Sequence, residues 1–220
     1  MPIARERILF EDRWLLAVTK LGGELVVQGK GRLDTLPLLD FLRKDHPSLL
    51  AIHRLDFETS GVVVFAKSRA VLAATLAKKF AGWKKDYTAL VLGTPKRAAG
   101  VIDFKLPARS GEGKVQVSTH YAVRETIGPV SLLDCTIERG QKHQIRRHLS
   151  MIGHPLILDV VYGIAKANKE FSKFLRLHRF FLHASRITFP HPVTGTIIEI
   201  VSPLPKAFLA VIKKLREANT

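Results

Sequence analysis

An α+β domain, mainly antiparallel in a mixed sheet with flanking helices, is the fold class this sequence predicts, on three observations. Apolar runs of three to five residues recur early in the chain, too short for helices and split by turn residues. A few longer stretches repeat with helical period. Strands and helices do not alternate regularly, as a parallel sheet would require.

The first runs, Ile8-Leu9-Phe10, Trp14 to Val18 and Leu25-Val26-Val27, read as strands separated by Glu11-Asp12-Arg13 and Gly22-Gly23. Asp34 and Thr35 open a helix with Pro37 in its first turn, where a missing N–H costs nothing, and Leu38, Leu39 and Leu42 on its apolar side. His46-Pro47 closes it. The β-branched run Val62 to Phe65 predicts a buried strand. Ser68 then caps a helix on which Val71, Leu72, Thr75, Leu76 and Phe80 recur at helical spacing. Tyr87 to Leu92, Val115 to Val123 and Leu132 to Ile137 alternate as strands, and residues 143–152 read as helix. Arg186 to Phe189 and Thr196 to Val201 flank His191-Pro192-Val193-Thr194-Gly195, a hairpin turn. Ser202 and Pro203 lead into a last helix with Phe208, Val211, Ile212 and Leu215 on one face. With no repeat, low-complexity tract or linker, a single domain over residues 1–220 is the expectation.

Composition narrows the function. The 220 residues are 46% hydrophobic and 25% charged, as in an ordinary globular protein. No apolar run approaches the roughly 18 residues of a membrane span. The first residues lack a secretory apolar core. Cys135 is the single cysteine, which excludes an internal disulfide and a cysteine-based metal cluster, and a reducing cytoplasm is the expected compartment. Thirty-five Lys and Arg against nineteen Asp and Glu give +16. That excess favours a polyanion, because each cation set against a phosphate releases a condensed counterion. The cations are spread through the chain and not gathered into one amphipathic helix, so a membrane surface is not the expected partner.

The richest polar segment is Ala51-Ile52-His53-Arg54-Leu55-Asp56-Phe57-Glu58-Thr59-Ser60-Gly61. A polar loop between a helix and a buried strand is where a rigid scaffold positions catalytic groups. The same residues also suit a plain turn, with Asp56 capping, Thr59 and Ser60 bonding locally and Gly61 supplying a permissive φ.

His53-Arg54-Leu55-Asp56-x-x-Thr59-Ser60-Gly61 closely resembles the signature of the RluA family of pseudouridine synthases. Three further blocks are similar to that family and fall in its order: Ile8 to Asp12 with Leu15 to Lys20; Lys85-Asp86-Tyr87 to Gly93; and Gly140-Gln141-Lys142-His143-Gln144-Ile145-Arg146-Arg147-His148, continuing to Asp159 and Tyr162-Gly163. The likeness covers residues 8–203. The family often has Lys-Pro at Lys20-Leu21, Thr-Gly-Arg at Arg139-Gly140-Gln141 and Gly at Leu158; no expected catalytic group is lost.

The resemblance implies a pseudouridine synthase catalytic domain without a separate N-terminal RNA-binding module. Its substrate would be structured RNA, tRNA or rRNA, in the cytoplasm, and it would work as a monomer without an obligatory protein partner. The reaction moves the glycosidic bond of uracil from N1 to C5, with no redox or phosphoryl step, so no cofactor or metal is expected. A carboxylate can hold the intermediate while the base turns over, and the resemblance gives that role to Asp56. Attack at ribose C1′, attack at uracil C6 and abstraction of a ribose proton all remain open. Arg146 would keep the buried carboxylate ionised, since a guanidinium offsets desolvation and grips a carboxylate with two parallel bonds. Tyr87 would lie against the flipped uracil and serve in proton transfer at C5, and Ile145 would form the opposite wall. Arg54 would fill the space left by the extruded base. His53 would assist or make a structural hydrogen bond. Lys85, with Lys67, Arg69, Lys78, Lys79, Lys84, Arg139, Lys142 and Arg147, would contact phosphates.

Rival chemistries fit less well. His143 and His148 would lie roughly 140° apart around a helix, and His154 would lie about 16 Å along the axis from His143, which does not make a zinc site. A glycosidase pair of Asp56 and Glu58 would point to opposite faces of an extended segment. A non-catalytic RNA-binding protein would share the charge, but joint retention of Asp56, Tyr87 and Arg146 favours an enzyme.

Overall fold

A computed structural model describes residues 3–29, 36–108 and 111–219. In chain order the described elements are β1 (Ile8–Glu11), β2 (Leu15–Lys20), α1 (Leu38–Leu42), β3 (Leu50–Ala51), β4 (Ser60–Ala66), α2 (Arg69–Ala77), β5 (Lys84–Leu92) and β6 (Ala99–Pro107). There follow β7 (Lys114–Ile127), β8 (Val130–Ile137), α3 (Gln144–Met151), α4 (Ala165–Leu175), β9 (Leu182–Pro190), β10 (Ile197–Val201) and α5 (Lys206–Glu217). The expected α+β class and antiparallel strand pairing are both present. The chain divides into two compact units, Met1–Lys85 with Ala184–Pro203, and Asp86–His183 with Leu204–Thr220.

In the first unit the strands follow the order β1-β2-β4-β9, with β3 beside β4 and β10 beside β9. β2 and β4 are antiparallel, from Leu15 against Ala66 to Lys20 against Gly61. Every residue of β4 is buried, as its unbroken β-branched run requires. Leu15, Ala17, Val62, Val64, Ile187, Phe189 and Ile200 form the core with Val71 of α2. Trp83 joins it, stacked on Phe189 with ring centroids 4.3 Å apart. Ser68 caps α2 by accepting the Val71 N–H. Val71 and Thr75 of the expected helical stripe are buried and Leu72 packs against the core, whereas Leu76 is exposed and Phe80, also against the core, lies beyond the helix at φ 59°. The β9–β10 turn is held by His191, whose Nδ1 accepts the Val193 and Thr194 N–H groups while Nε2 meets Asp12 Oδ2 at 3.1 Å.

Two early expectations change here. Leu25 to Val27 is not a strand: the Leu25 and Val26 carbonyls accept the N–H groups of Leu38 and Leu39, closing the start of α1 instead of pairing in a sheet. Pro37 is the residue before α1, not part of its first turn, and the helix ends at Leu42, before His46-Pro47. The opening at Asp34 and Thr35 lies outside the described residues.

In the second unit the strands follow the order β5-β8-β7-β6, with β6, β7 and β8 antiparallel in succession. Leu90, Ile127, Val130, Leu132, Ile157, Leu158 and Phe181 pack beneath α5, which buries Phe208, Val211, Ile212 and Leu215 as its period predicts. Cys135 of β8 is fully buried, and burial, with the charge of Asp134 adding to it, pushes its thiol up to about 12. α3 confirms the helix read over residues 143–152, whereas α4 and β6 were not foreseen.

Candidate active site

Asp56 lies, half-buried, on the loop between β3 and β4, and that loop is fixed mainly through its backbone. Lys20, at the end of β2 and fully buried, donates from Nζ to the carbonyls of Phe57 at 2.9 Å and Thr59 at 2.6 Å, and to Leu21 at 2.8 Å. The Phe57 carbonyl also accepts the Gly23 N–H, and Thr59 N–H donates to the Asp56 carbonyl. A buried ammonium needs such acceptors, since desolvation without them would strip its charge. Carbonyls that would otherwise want water are thereby turned inward to Lys20, and the loop cannot swing away without exposing them.

The loop is closed at its far end by Gly61. Its φ is +117°, and a Cβ there would stand 2.2 Å from the Ala184 carbonyl oxygen, so both backbone conformation and space demand glycine. His53 is tied by its ring: Nε2 accepts the Val64 N–H at 3.2 Å, and the imidazole meets Trp83 edge-on. That is the structural hydrogen bond weighed for it from the sequence. Arg54 is exposed. Lys85 is half-buried with Nζ over the Phe80 and Trp83 rings, 5.5 and 5.7 Å from their centroids.

The second unit holds Tyr87, Ile145 and Arg146, all buried. Tyr87 stands on β5, and Ile145 and Arg146 on the first turns of α3. The α3 entry is set by side chains. His143 precedes the helix at φ 56°, Gln144 Oε1 accepts the Gln141 N–H, and Gln144 Nε2 donates to the Ser118 carbonyl at 3.0 Å. Arg146 closes its two-bond fork on Asp159, Nε to Oδ2 at 2.7 Å and Nη2 to Oδ1 at 2.9 Å. Its guanidinium carbon also lies 4.4 Å from the Phe180 ring centroid and 5.1 Å from that of Tyr162.

Asp159, which the sequence presents only as part of the block that ends at Tyr162-Gly163, is the residue that orients Arg146. It is fully buried. Burial works to raise its carboxyl, but hydrogen bonds from Arg146 and from the Tyr162 and Val161 N–H groups outweigh this and hold it below the usual carboxylate range. Leu158, where the resembling family prefers Gly, stands at φ 63°, a left-handed conformation costly for a side chain and secured here by its N–H donating to Asn168 Oδ1 at 2.7 Å. Tyr162 completes the cradle, its hydroxyl meeting Arg147 Nε at 2.9 Å and His143 Nδ1 at 3.0 Å. The three histidines considered for zinc have separate partners: Tyr162 for His143, Thr119 for His148 and the Leu92 carbonyl for His154.

Comparison with known proteins places these residues in context. A family model described as RNA pseudouridylate synthase matches residues 15–151. Ribosomal large subunit pseudouridine synthase C of Escherichia coli (strain K12) is 35% identical over 231 residues, covering 96% of this chain and 70% of that protein. The protein of the same name from Pasteurella multocida (strain Pm70) is 35% identical over 229 residues, covering 98% and 69%. Among solved structures, Human RNA Pseudouridylate Synthase Domain Containing 4 has the same fold, with a TM-score of 0.77 at 24% identity over 95% of this chain and 92% of that one.

Proposed function

Because this chain belongs to the RNA pseudouridylate synthase family, and is therefore an RNA pseudouridine synthase, we propose that it acts on ribosomal RNA through Asp56. The observation that carries this reading is the family match across residues 15–151, which includes the Asp56 loop and Arg146. Asp56 supplies the carboxylate that holds the reacting nucleotide while uracil is detached at N1 and rejoined at C5. Lys20 clasps the backbone directly after it, at the Phe57 and Thr59 carbonyls, and the Asp56 carbonyl accepts the Thr59 N–H. A reacting group needs such a rigid support, because small displacements cost large factors in rate.

Arg146 contributes the permanent positive charge, delivered at a fixed place by Asp159, and Tyr87 presents a ring to the flipped uracil. Ile145 forms an apolar wall. Arg54, exposed and cationic, takes the place of the extruded base, and Lys85 meets phosphate. His53 supports the loop through Val64. The enzyme works as a monomer in the cytoplasm, without a cofactor.

The test uses unmodified ribosomal RNA fragments and unmodified tRNA transcripts, with pseudouridine detected by carbodiimide mapping. Asp56→Asn is expected to lower turnover at least about a thousandfold while unfolding at the wild-type temperature. Substantial activity in that variant would remove Asp56 from the chemistry. Modification of tRNA alone by the wild type would overturn the ribosomal assignment and leave the enzyme class intact.

A further inference from the structure

The segment after Asp159 combines two features that seldom occur together, a rigid backbone and a naked apolar tip. Val160 is 78% exposed and Val161 61% exposed, directly beside a residue with no exposure at all. The backbone beneath them is pinned. Asp159 Oδ1 accepts the N–H groups of Val161 and Tyr162 at 2.9 and 3.1 Å, the Asp159 carbonyl accepts those of Gly163 and the Asn168 amide, and Tyr162 is bonded on its hydroxyl by Arg147 and on its carbonyl by Ser150. A loose surface loop can shed apolar side chains against its neighbours. This one holds two valines out in water.

We propose that Val160 and Val161 form a docking tip that packs against bases of the substrate RNA unstacked as the target uridine leaves its helix. The surroundings select RNA over a protein partner. Lys142, Arg147, Lys166 and Lys169 flank the tip in sequence; of the two acids nearest to it in the chain, Asp159 is buried and paired with Arg146, which leaves Glu170 as the exposed one. That field attracts a phosphate backbone and repels a second copy of a chain carrying +16. Apolar wedges set beside cations hold nucleic acid in an unstacked state, because the exposed base faces gain a dry contact that offsets lost stacking. The same Asp159 carboxylate that orients Arg146 also fixes the tip, so the two are held in one geometry. This inference rests on the reading above that a structured RNA is the substrate.

The experiment measures kcat/KM for wild type and the double variant Val160→Ala, Val161→Ala on two RNAs. One is a folded stem-loop bearing the target uridine. The other has the same strand with mismatches that leave the flanking nucleotides unpaired. The variant is expected to lose about tenfold on the folded stem-loop, the scale of one base-stacking contact, and less than about twofold on the mismatched RNA. Three results would overturn the proposal: no loss on the stem-loop, an equal loss on both RNAs, or a concentration-dependent dimer of the wild type that the variant abolishes. Absence of wild-type pseudouridine formation on either RNA would instead defeat the substrate reading itself.

Discussion

The Asp56 loop and the Arg146 helix solve the same problem by different means. In the first unit a buried lysine reaches across to main-chain oxygens and Gly61 must stay small, so the loop is held chiefly at its backbone, with the His53 ring as a further tie. In the second unit the guanidinium is held by a carboxylate, two rings and a tyrosine hydroxyl on its neighbour, a network made of side chains. A loop fixed through its backbone keeps its course when a side chain is changed. A charge fixed by another charge is oriented in both directions and kept ionised, but depends on each partner being present.

The contrast can be broken most sharply at Asp159. Asp159→Ala leaves a buried guanidinium without its counter-ion, and the expected loss is roughly 3–5 kcal/mol in denaturant unfolding, with activity falling alongside. A loss below about 1 kcal/mol would mean that the pair does not carry the α3 region. Lys20→Met is expected to cost less in stability, about 2 kcal/mol, because its three carbonyls are neutral. Its effect on kcat should exceed its effect on KM, since it displaces the Asp56 loop without touching RNA. The comparison sharpens further with acid. Asp159 has a lowered folded pKa, so its contribution is complete above the unfolded value near 3.9 and is lost as pH falls through the folded one. Between pH 6 and pH 3 the wild type should therefore lose more stability than Asp159→Asn, as read by thermal unfolding; parallel curves would remove Asp159 from the acid response.

Much of this was legible in the residues. The His53–Gly61 segment concentrates polar side chains between apolar elements, and the unbroken run of β4 is a strand that needs no tertiary information. Leu25 to Val27 misleads because three apolar residues satisfy the period of a strand while saying nothing about where their carbonyls go; here they meet α1. α4 carries only a short signal: Phe171, Phe174 and Leu175 stand at helical spacing, but Leu175 alone of its eleven residues is buried, and the stripe spans a single turn. β6 alternates weakly, with Ile102 and Leu106 inside and Phe104 exposed. The pairing of Arg146 with Asp159, thirteen residues apart, joins a helix to a loop. One sequence lists the two charges without joining them.

Cys135 gives the second unit a built-in clock. Its sulfur is out of solvent and its proton is held far above neutral pH, so a water-soluble alkylating reagent finds nothing to attack until β8 comes apart. With no other thiol in the chain to compete, the rate of labelling in excess reagent would time the opening of that strand in the intact enzyme, with no engineered cysteine.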